Sequence, residues 1–208
     1  MPHYFSEKQD SEFRKKTIRR NLLGAGLEFS VGSGMFSKDR VDTGTVILIE
    51  HSIIPAESGE EPIRILDLGC GYGPVGIAVA KKYPDAKITM VETNERALSL
   101  ARKNLELNNI KNARCFKSDL FSAISKDDNA KNNFDAILVN PPMSAGRKLC
   151  YKIIEESKDH LKDGGTLQLI AMHNKGGKML GQKIEEVFGN MTTLVKSGGY
   201  RIYMGIRK

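Results

Sequence analysis

The octapeptide Asp67-Leu68-Gly69-Cys70-Gly71-Tyr72-Gly73-Pro74 carries the strongest structural signal in the chain. It follows the aliphatic residues 63–66, which predict a buried strand, and it precedes residues 75–79, where apolar side chains recur at helical spacing. Pro74 suits the first turn of that helix. A strand, a glycine turn and a helix in this order place backbone N–H groups and a helix N-terminus beside the end of a parallel strand. That arrangement is a nucleotide-binding geometry.

Three glycines give this turn its conformational freedom. Gly69, Gly71 and Gly73 allow a sharp backbone bend and the close approach of a ligand where a Cβ would clash. The spacing Gly71-x-Gly73-x-x-Gly76 also fits the dinucleotide-binding fingerprint. The turn alone therefore does not identify the cofactor, and residues further along the chain have to distinguish between the possible cofactors.

The chain after residue 62 alternates between strand and helix patterns. Two final strands, 191–196 and 200–207, flank Ser197-Gly198-Gly199 and are expected to pair antiparallel. The order predicts an α/β fold with a mostly parallel seven-stranded sheet, a C-terminal antiparallel hairpin and helices on both faces. The other predicted strands are 63–67, 87–92, 112–117, 134–139 and 165–172, and the predicted helices are 74–83, 94–108, 147–161 and 177–188.

The first 62 residues are predicted to form a cap on that sheet. Residues 1–16 are polar and expected to fray, whereas residues 17–36 alternate and carry four glycines, which predicts a hairpin. Asp42 or Thr43 is an expected N-cap for a helix that ends before Pro55, and a polar connector follows. We therefore divide one structural domain into a hairpin and helix, residues 1–62, packed on a core, residues 63–208.

Composition argues against several classes of protein. No stretch approaches the ~20 apolar residues of a membrane span. The three cysteines and four histidines show no Cys-x-x-Cys pair and no metal-ligand spacing. This pattern indicates reduced thiols in the cytoplasm rather than a disulfide framework or a metal site. The net charge of +7 favours a polyanionic partner.

Acidic residues follow two of the predicted strands, where ligands bind in open α/β sheets. Glu92 lies 16 residues past Gly76, close to the spacing expected for a carboxylate that binds ribose hydroxyls. Asp119 follows the next strand and can accept the hydrogens of an adenine amino group, while Leu120 or Phe121 packs on the ring. A lone aspartate in a loop is also typical of a helix cap, so the prediction for Asp119 depends on its neighbours in the fold.

Asn140-Pro141-Pro142-Met143 follows the most apolar strand of the chain. Two consecutive prolines fix the backbone and remove two hydrogen-bond donors. The Asn140 side-chain oxygen and the Pro141 carbonyl remain as a pair of acceptors. Such a pair can hold both hydrogens of an amino or amide nitrogen and direct its lone pair towards an electrophile.

Two basic segments are candidate contacts to a phosphate backbone. In residues 14–20, five of the seven side chains are basic, including Arg19 and Arg20. Taken alone, such a run is slightly more typical of a solvated face. Arg147 and Lys148 follow the Asn140 motif, and their expected position at the mouth of the site favours a phosphate contact.

These motifs together resemble motifs I to IV of the class I S-adenosylmethionine-dependent methyltransferases, which have a Rossmann-like fold. The motifs concerned are the Asp67–Gly73 turn, Glu92, Asp119 and Asn140-Pro-Pro. In that group, Asn-Pro-Pro belongs to the branch that methylates amino and amide nitrogens. The similarity spans residues 36–206.

Two further elements narrow the resemblance. Phe36-Ser37 and Asp42-x-Gly44-Thr45, taken with the motifs above, look most like the RsmC-like small-domain enzymes, the guanine-N2 methyltransferases of small-subunit ribosomal RNA. That family usually carries a second, degenerate methyltransferase-like domain in front, which is not expected here. Met143 stands where the family has an aromatic residue that stacks on the flipped base, and methionine can also pack on a ring through its sulfur.

The resemblance implies S-adenosylmethionine as the cofactor and a role for each site residue. The ribose is expected at Glu92, the adenine at Asp119 and the methionine portion at the glycine turn, with no metal and no strong general base. The expected cofactor contacts are Thr45, Asp67, Gly69, Gly71, Gly73, Glu92, Asn94, Asp119, Leu120 and Asn140. The expected catalytic segment is Asn140, Pro141, Pro142 and Met143, and the expected RNA contacts are Arg147, Lys148, Arg19 and Arg20.

Three functions remain open from the sequence. The leading interpretation is methylation of an RNA base, with guanine N2 in ribosomal RNA ahead of an adenine or guanine in transfer RNA. The second is methylation of a glutamine amide in a protein, because that group of enzymes also carries Asn-Pro-Pro. The third is a non-catalytic or NAD-dependent protein, in which Asn140-Pro-Pro and the terminal hairpin have no role.

Overall fold

A computed structural model describes residues 15–32, 40–55, 61–124 and 133–208. Its helices and strands alternate along the chain after an initial hairpin. In chain order they are β1 Lys15–Leu22, β2 Ala25–Gly32, α1 Thr43–His51, β3 Arg64–Leu68, α2 Pro74–Lys82, β4 Lys87–Glu92, α3 Glu95–Leu107, β5 Ala113–Lys117, β6 Phe134–Val139, α4 Arg147–His160, β7 Leu161–Met172, α5 Lys178–Phe188, β8 Thr192–Ser197 and β9 Tyr200–Ile206.

Seven of these strands form one sheet in the order β5-β4-β3-β6-β7-β9-β8. Strands β5, β4, β3, β6 and β7 are parallel neighbours. Strand β9 runs antiparallel to β7 on one side and to β8 on the other. The predicted α/β fold, with its C-terminal antiparallel hairpin, is therefore confirmed.

The central strands are buried on both faces, which explains why they are nearly continuous apolar runs in the sequence. In β3, Ile65 packs into one hydrophobic cluster while Leu66 and Leu68 pack into the other. The same alternation holds in β6, where Leu138 and Val139 face opposite clusters. Helices cover both faces, so the polar atoms of the site are left at the carboxyl ends of the strands.

The N-terminal hairpin is held to the core by two asparagines, Asn104 of α3 and Asn108, the residue that follows this helix. Asn104 accepts the Ser30 N–H at 2.7 Å, and its side-chain nitrogen donates to the carbonyls of Ser30 at 3.1 Å and Tyr72 at 2.8 Å. Asn108 forms the same paired contact with Glu28. These amides satisfy backbone groups on the free edge of β2. Asn104 thereby connects the hairpin to the glycine turn. The division of the chain into a hairpin and helix, residues 1–62, and a core, residues 63–208, stays a prediction.

Two of the predicted helix and strand boundaries differ from the structure by more than two residues. Helix α1 ends at His51 rather than before Pro55, because the Gln168 amide takes over both backbone groups of Ile53, at 2.8 and 2.6 Å. Strand β7 begins at Leu161, since Gly164, with φ 78°, sits in a register shift inside the strand instead of a turn before it. A π-helical turn, His173–Gly177, precedes α5.

Strand β1 begins at Lys15, so the expected fraying of residues 1–16 is wrong for residues 15 and 16, and residues 1–14 lie outside the described ranges. The Phe36-Ser37 element and most of the polar connector also lie outside them. Asp42 is the N-cap of α1, as predicted. The three cysteines are free. Across the described ranges, no helix combines the length and apolar character needed to cross a bilayer.

Candidate active site

A cavity of about 820 Å³ opens at the carboxyl ends of β3, β4, β6 and β7. Most of the residues that the sequence predicted for the site come together on its walls. They are Thr45, Asp67, Gly69, Gly71, Glu92, Asp119, Leu120, Asn140, Pro141, Pro142 and Met143.

Asp67 lies almost fully buried at the start of the glycine turn. Burial raises its pKa to about 7; the Gly76 N–H, 2.8 Å from Oδ2, works against this shift, and the nearby charge of Glu92 adds to it. Because the Gly76 N–H lies in the first turn of α2, the carboxylate takes a position that a phosphate occupies in dinucleotide sites. This contact argues against NAD.

Glu92 braces the glycine turn from the neighbouring strand. Its Oε1 accepts the N–H groups of Thr93 and Asn94, both at 2.8 Å, and its Oε2 accepts the Gly71 N–H at 2.9 Å. A carboxylate offers about four acceptor positions, so Oε2 keeps one for a ligand. Burial raises the pKa of Glu92 and the three N–H donors oppose that shift.

The three glycines of the turn differ in what they do. Gly69 has φ 74°, and a Cβ there would meet no atom within 4 Å, so its surface is open to a ligand. Gly71 donates to Glu92. Gly73 does not line the cavity; with φ 97°, it packs against Met90 and Ile77, where a Cβ would lie 2.8 and 2.9 Å from side-chain carbons. Gly73 therefore serves the packing of α2.

Asp119 and Leu120 form the wall beyond β5. Asp119 is exposed and makes no side-chain hydrogen bond with any residue in the described ranges, so both carboxylate oxygens are available. Leu120 has φ 49°, a strained conformation for a bulky side chain and one that is frequent at functional sites.

Asn140 follows β6 and faces the start of α1. Its Nδ2 donates to Thr45 Oγ1 at 2.9 Å and to Asp42 Oδ2 at 3.3 Å. Thr45 Oγ1 donates in turn to Asp42 Oδ2 at 3.4 Å. Both amide hydrogens are therefore used within the protein, and the amide oxygen remains the available acceptor.

Pro142 is the centre of an inverse γ-turn, with φ −73° and ψ 79°. The Met143 N–H donates to the Pro141 carbonyl at 2.8 Å. One lone pair of that carbonyl is therefore occupied, and one remains for a ligand. The Pro141 carbonyl and the Asn140 amide oxygen therefore each keep an acceptor position for a ligand. Met143 is 37% exposed at the cavity wall.

Several residues that the sequence assigned to the site lie elsewhere. Asn94 is the N-cap of α3, where its side chain accepts the Ala97 N–H at 3.0 Å, and it does not line the cavity. Arg19 is paired with Glu28 across the hairpin. Arg20 is exposed on the same hairpin, and Arg147 and Lys148 are exposed at the start of α4.

Among the cavity residues that the sequence analysis did not assign to the site, four bear directly on its chemistry. Asp42 was assigned only a capping role, although it also contacts Asn140. Met172, Lys175 and Tyr200 were not assigned at all, yet they line the side of the cavity near the C-terminal hairpin. The sequence offered one signal for a role of Tyr200 in the site, namely that it is an aromatic residue directly after the Gly198-Gly199 turn.

The charge of the cavity suits a cationic ligand. Of the described residues that line it, four are acidic and one, Lys175, is basic; the four are Asp42, Asp67, Glu92 and Asp119. S-adenosylmethionine carries positive charge on its sulfonium and ammonium groups, whereas a dinucleotide carries a negative pyrophosphate. The residues present therefore fit the methyl donor.

Comparison with known proteins agrees with this chemistry. A sequence model of the family described as the methyltransferase small domain matches residues 26–204. The chain belongs to this family. The finding confirms the expected class, the S-adenosylmethionine-dependent methyltransferases, and with it the cofactor.

Relatives of two lengths resemble the chain. Uncharacterized protein YbxB of Bacillus subtilis (strain 168) is 39% identical over 200 residues, which cover 96% of each protein. Ribosomal RNA small subunit methyltransferase C of Haemophilus influenzae (strain PittGG) is 31% identical over 208 residues, which cover 97% of this chain and 58% of that protein. The chain thus spans little more than half the length of the second relative.

A solved structure shares the fold over nearly the whole chain. It is the Thermus thermophilus ("T. Thermophilus") 16S rRNA N2 G1207 methyltransferase, RsmC, in complex with AdoMet and guanosine. The TM-score is 0.76 at 26% sequence identity, and the alignment covers 95% of this chain and 51% of that one.

We expect cofactor affinity to depend on pH through Asp67. A cation bound in the cavity favours the charged carboxylate and lowers its pKa from about 7, so binding below that pH releases a proton. Affinity should then rise by up to about tenfold per pH unit as the pH approaches about 7, and level off above it. Titration calorimetry measures this, and Asp67→Asn should flatten the profile. A flat profile in the wild type would contradict the assignment.

Proposed function

We propose that the protein is an S-adenosylmethionine-dependent N-methyltransferase that acts on the exocyclic amino group of guanine, N2, in small-subunit ribosomal RNA. The observation that carries the proposal is the state of Asn140, whose amide hydrogens are bound by Thr45 and Asp42 while its oxygen is left as an acceptor beside the cavity. A cytoplasmic location belongs to the same proposal.

The protein's part in this reaction is to orient the substrate nitrogen. The Asn140 oxygen and the free lone pair of the Pro141 carbonyl accept the two hydrogens of the amino group, which turns the nitrogen lone pair out of the plane of the base. S-adenosylmethionine, when bound, supplies a strongly electrophilic methyl group, so no metal or strong base is required. Holding two reactants in a fixed orientation can lower the activation free energy by ~7–11 kcal/mol.

The substrate class is supported by the relatives rather than by Asn140 alone. Two of the similar proteins are named for a ribosomal RNA substrate. They are ribosomal RNA small subunit methyltransferase C of H. influenzae and the 16S rRNA N2 G1207 methyltransferase, RsmC, of T. thermophilus, which was solved with guanosine. A guanine in structured RNA would have to be rotated out of its stack to reach this cavity. Met143 and Tyr200 offer apolar surface on the cavity wall for the flipped base.

The direct test is methyl transfer with purified protein and labelled S-adenosylmethionine. Small ribosomal subunits, free small-subunit RNA and transfer RNA from a strain lacking the enzyme are compared with a glutamine-containing protein extract freed of RNA. We expect label in the RNA, recovered as N2-methylguanosine after digestion. Label in N-methylglutamine and none in RNA would overturn the proposal in favour of a protein substrate. Label in transfer RNA alone would overturn the choice of RNA.

Thr45→Val should lower kcat by about 3- to 10-fold, the loss expected from one neutral hydrogen bond. Valine keeps the shape of threonine but cannot accept from Asn140 Nδ2 or donate to Asp42. The dissociation constant of the methyl donor should change little. Thr45→Ser keeps the hydroxyl and serves as the control. A single-turnover rate of Thr45→Val equal to that of wild type would show that the Asn140 amide is oriented without the Thr45 hydroxyl.

A further inference from the structure

The C-terminal quarter of the chain is strongly basic. Residues 164–208 contain seven lysine and arginine residues and two acidic ones, Glu185 and Glu186. Both acids lie on α5, and Lys183 bridges Glu186 to Glu155 of α4 at 2.7 Å in each case. The π-turn and the β8–β9 hairpin therefore carry positive charge without a negative residue of their own.

Four of these cations lie close together around His173. The ladder between β8 and β9 places Lys196 directly opposite Arg201. The His173 N–H donates to the Gly199 carbonyl at 2.9 Å, which fixes the π-turn against the hairpin. The pKa of His173 is lowered by loss of solvent and then by the positive charges of Arg201, Lys178 and Lys196. We call Lys175, Lys178, Lys196 and Arg201 the hairpin cluster.

The hairpin cluster is not neutralised by the protein. Like charges directly opposite each other in an antiparallel ladder destabilise it, and Lys196 and Arg201 are such a pair. In residues 15–32, 40–55, 61–124 and 133–208, no hydrogen bond or ion pair engages the four side chains. Arg207, the residue directly after β9, is by contrast paired with Asp163 at 3.3 Å. An anion from outside the chain would relieve this repulsion.

The hairpin cluster is continuous with the cavity. Lys175 belongs to both, and Met172 and Tyr200, which line the cavity, are paired across β7 and β9. The π-turn also touches the catalytic segment, since a Cβ on Gly176 would lie 2.9 Å from Met143 Cε. The cationic surface therefore begins at the side of the cavity that holds Asn140-Pro-Pro-Met.

We propose that the hairpin cluster binds the phosphates that flank the target nucleotide in RNA. The inference rests on the proposed function, because it requires an RNA substrate. Successive phosphates on either side of a flipped nucleotide would meet unpaired cations on the π-turn and on two adjacent strands, while the base enters the cavity beside Tyr200. The hairpin cluster would also supply phosphate contacts that Arg19, one of the residues predicted from the sequence, makes less readily because it is paired with Glu28.

The test compares three double variants of the full-length protein. Lys178→Gln/Lys196→Gln removes two exposed members of the hairpin cluster. Arg147→Gln/Lys148→Gln removes the pair predicted from the sequence. Lys103→Gln/Lys111→Gln removes two exposed lysines, one on α3 and one after it, as a matched control. The measurement is the dissociation constant for small-subunit RNA at several salt concentrations, together with that for S-adenosylmethionine.

We expect Lys178→Gln/Lys196→Gln to reduce the slope of log affinity against log salt by about 1.5 and to weaken RNA binding about tenfold at ~150 mM salt. Affinity for S-adenosylmethionine should be unchanged, and the control should match wild type. An unchanged slope, with RNA still methylated, would overturn the inference and leave the proposed function standing. If wild type binds no RNA and methylates an acidic protein instead, both fail.

Discussion

Asn140→Ala is expected to lower kcat for methyl transfer by about 100- to 1000-fold, the ~2.7–4 kcal/mol seen when one preorganised polar group is removed from a transition state. The variant loses the acceptor that Thr45 and Asp42 orient towards the cavity. Affinity for S-adenosylmethionine should stay near the wild-type value, because Asp67, Glu92 and the glycine turn are unchanged. Single-turnover kinetics with small ribosomal subunits measures the first quantity and calorimetry the second.

Asn140→Asp is the sharper control for this prediction. It keeps an acceptor of nearly the same shape, but it loses the amide donor to Thr45 and places a second carboxylate beside Asp42. We expect partial activity, above that of Asn140→Ala and below wild type. Full activity in Asn140→Ala would remove Asn140 from the mechanism and leave the Pro141 carbonyl as the acceptor.

Glu92→Ala is expected to weaken binding of S-adenosylmethionine by about 10- to 150-fold, the ~1.5–3 kcal/mol associated with hydrogen bonds to a charged group. Two losses combine in this variant. The remaining acceptor position on Oε2 is no longer available to the cofactor, and the N–H groups of Gly71, Thr93 and Asn94 lose their partner. Calorimetry on the purified variant gives the affinity.

Glu92→Gln separates those two losses. A glutamine oxygen can still accept from Thr93 and Asn94, but its NH₂ group faces the Gly71 N–H and offers no acceptor there. We expect affinity between those of wild type and Glu92→Ala, with a melting temperature closer to wild type. Binding by Glu92→Ala that equals wild type would mean that Glu92 has no part in the cofactor site.

The fold was predictable because its central strands are buried on both faces and therefore appear as apolar runs, as in residues 136–139. The glycine turn, Asp67, Glu92 and Asn140 were predictable for a related reason. Each directly follows or ends such a strand, and parallel strands bring their carboxyl ends to one edge of the sheet. Local sequence and topology agree at these positions.

The remaining site residues depend on contacts between distant parts of the chain. Asp42 and Asn140 are 98 residues apart, and the sequence around Asp42 signals a helix cap alone. Lys175 and Tyr200 reach the cavity because β9 inserts between β7 and β8, an order that the spacing of the strands does not predict. Asn94 shows the reverse error, since Asn94-Glu95 before an apolar periodic run is itself a typical N-cap pattern.

Nucleoside analysis of small-subunit ribosomal RNA tests the central claim most directly. RNA is taken from a strain that lacks the gene and from the same strain carrying either the wild-type protein or Asn140→Ala, and N2-methylguanosine is quantified by mass spectrometry. We predict that one N2-methylguanosine per subunit disappears in the deletion, returns with the wild-type protein and stays absent with Asn140→Ala. An unchanged N2-methylguanosine content in the deletion strain would contradict the proposed function.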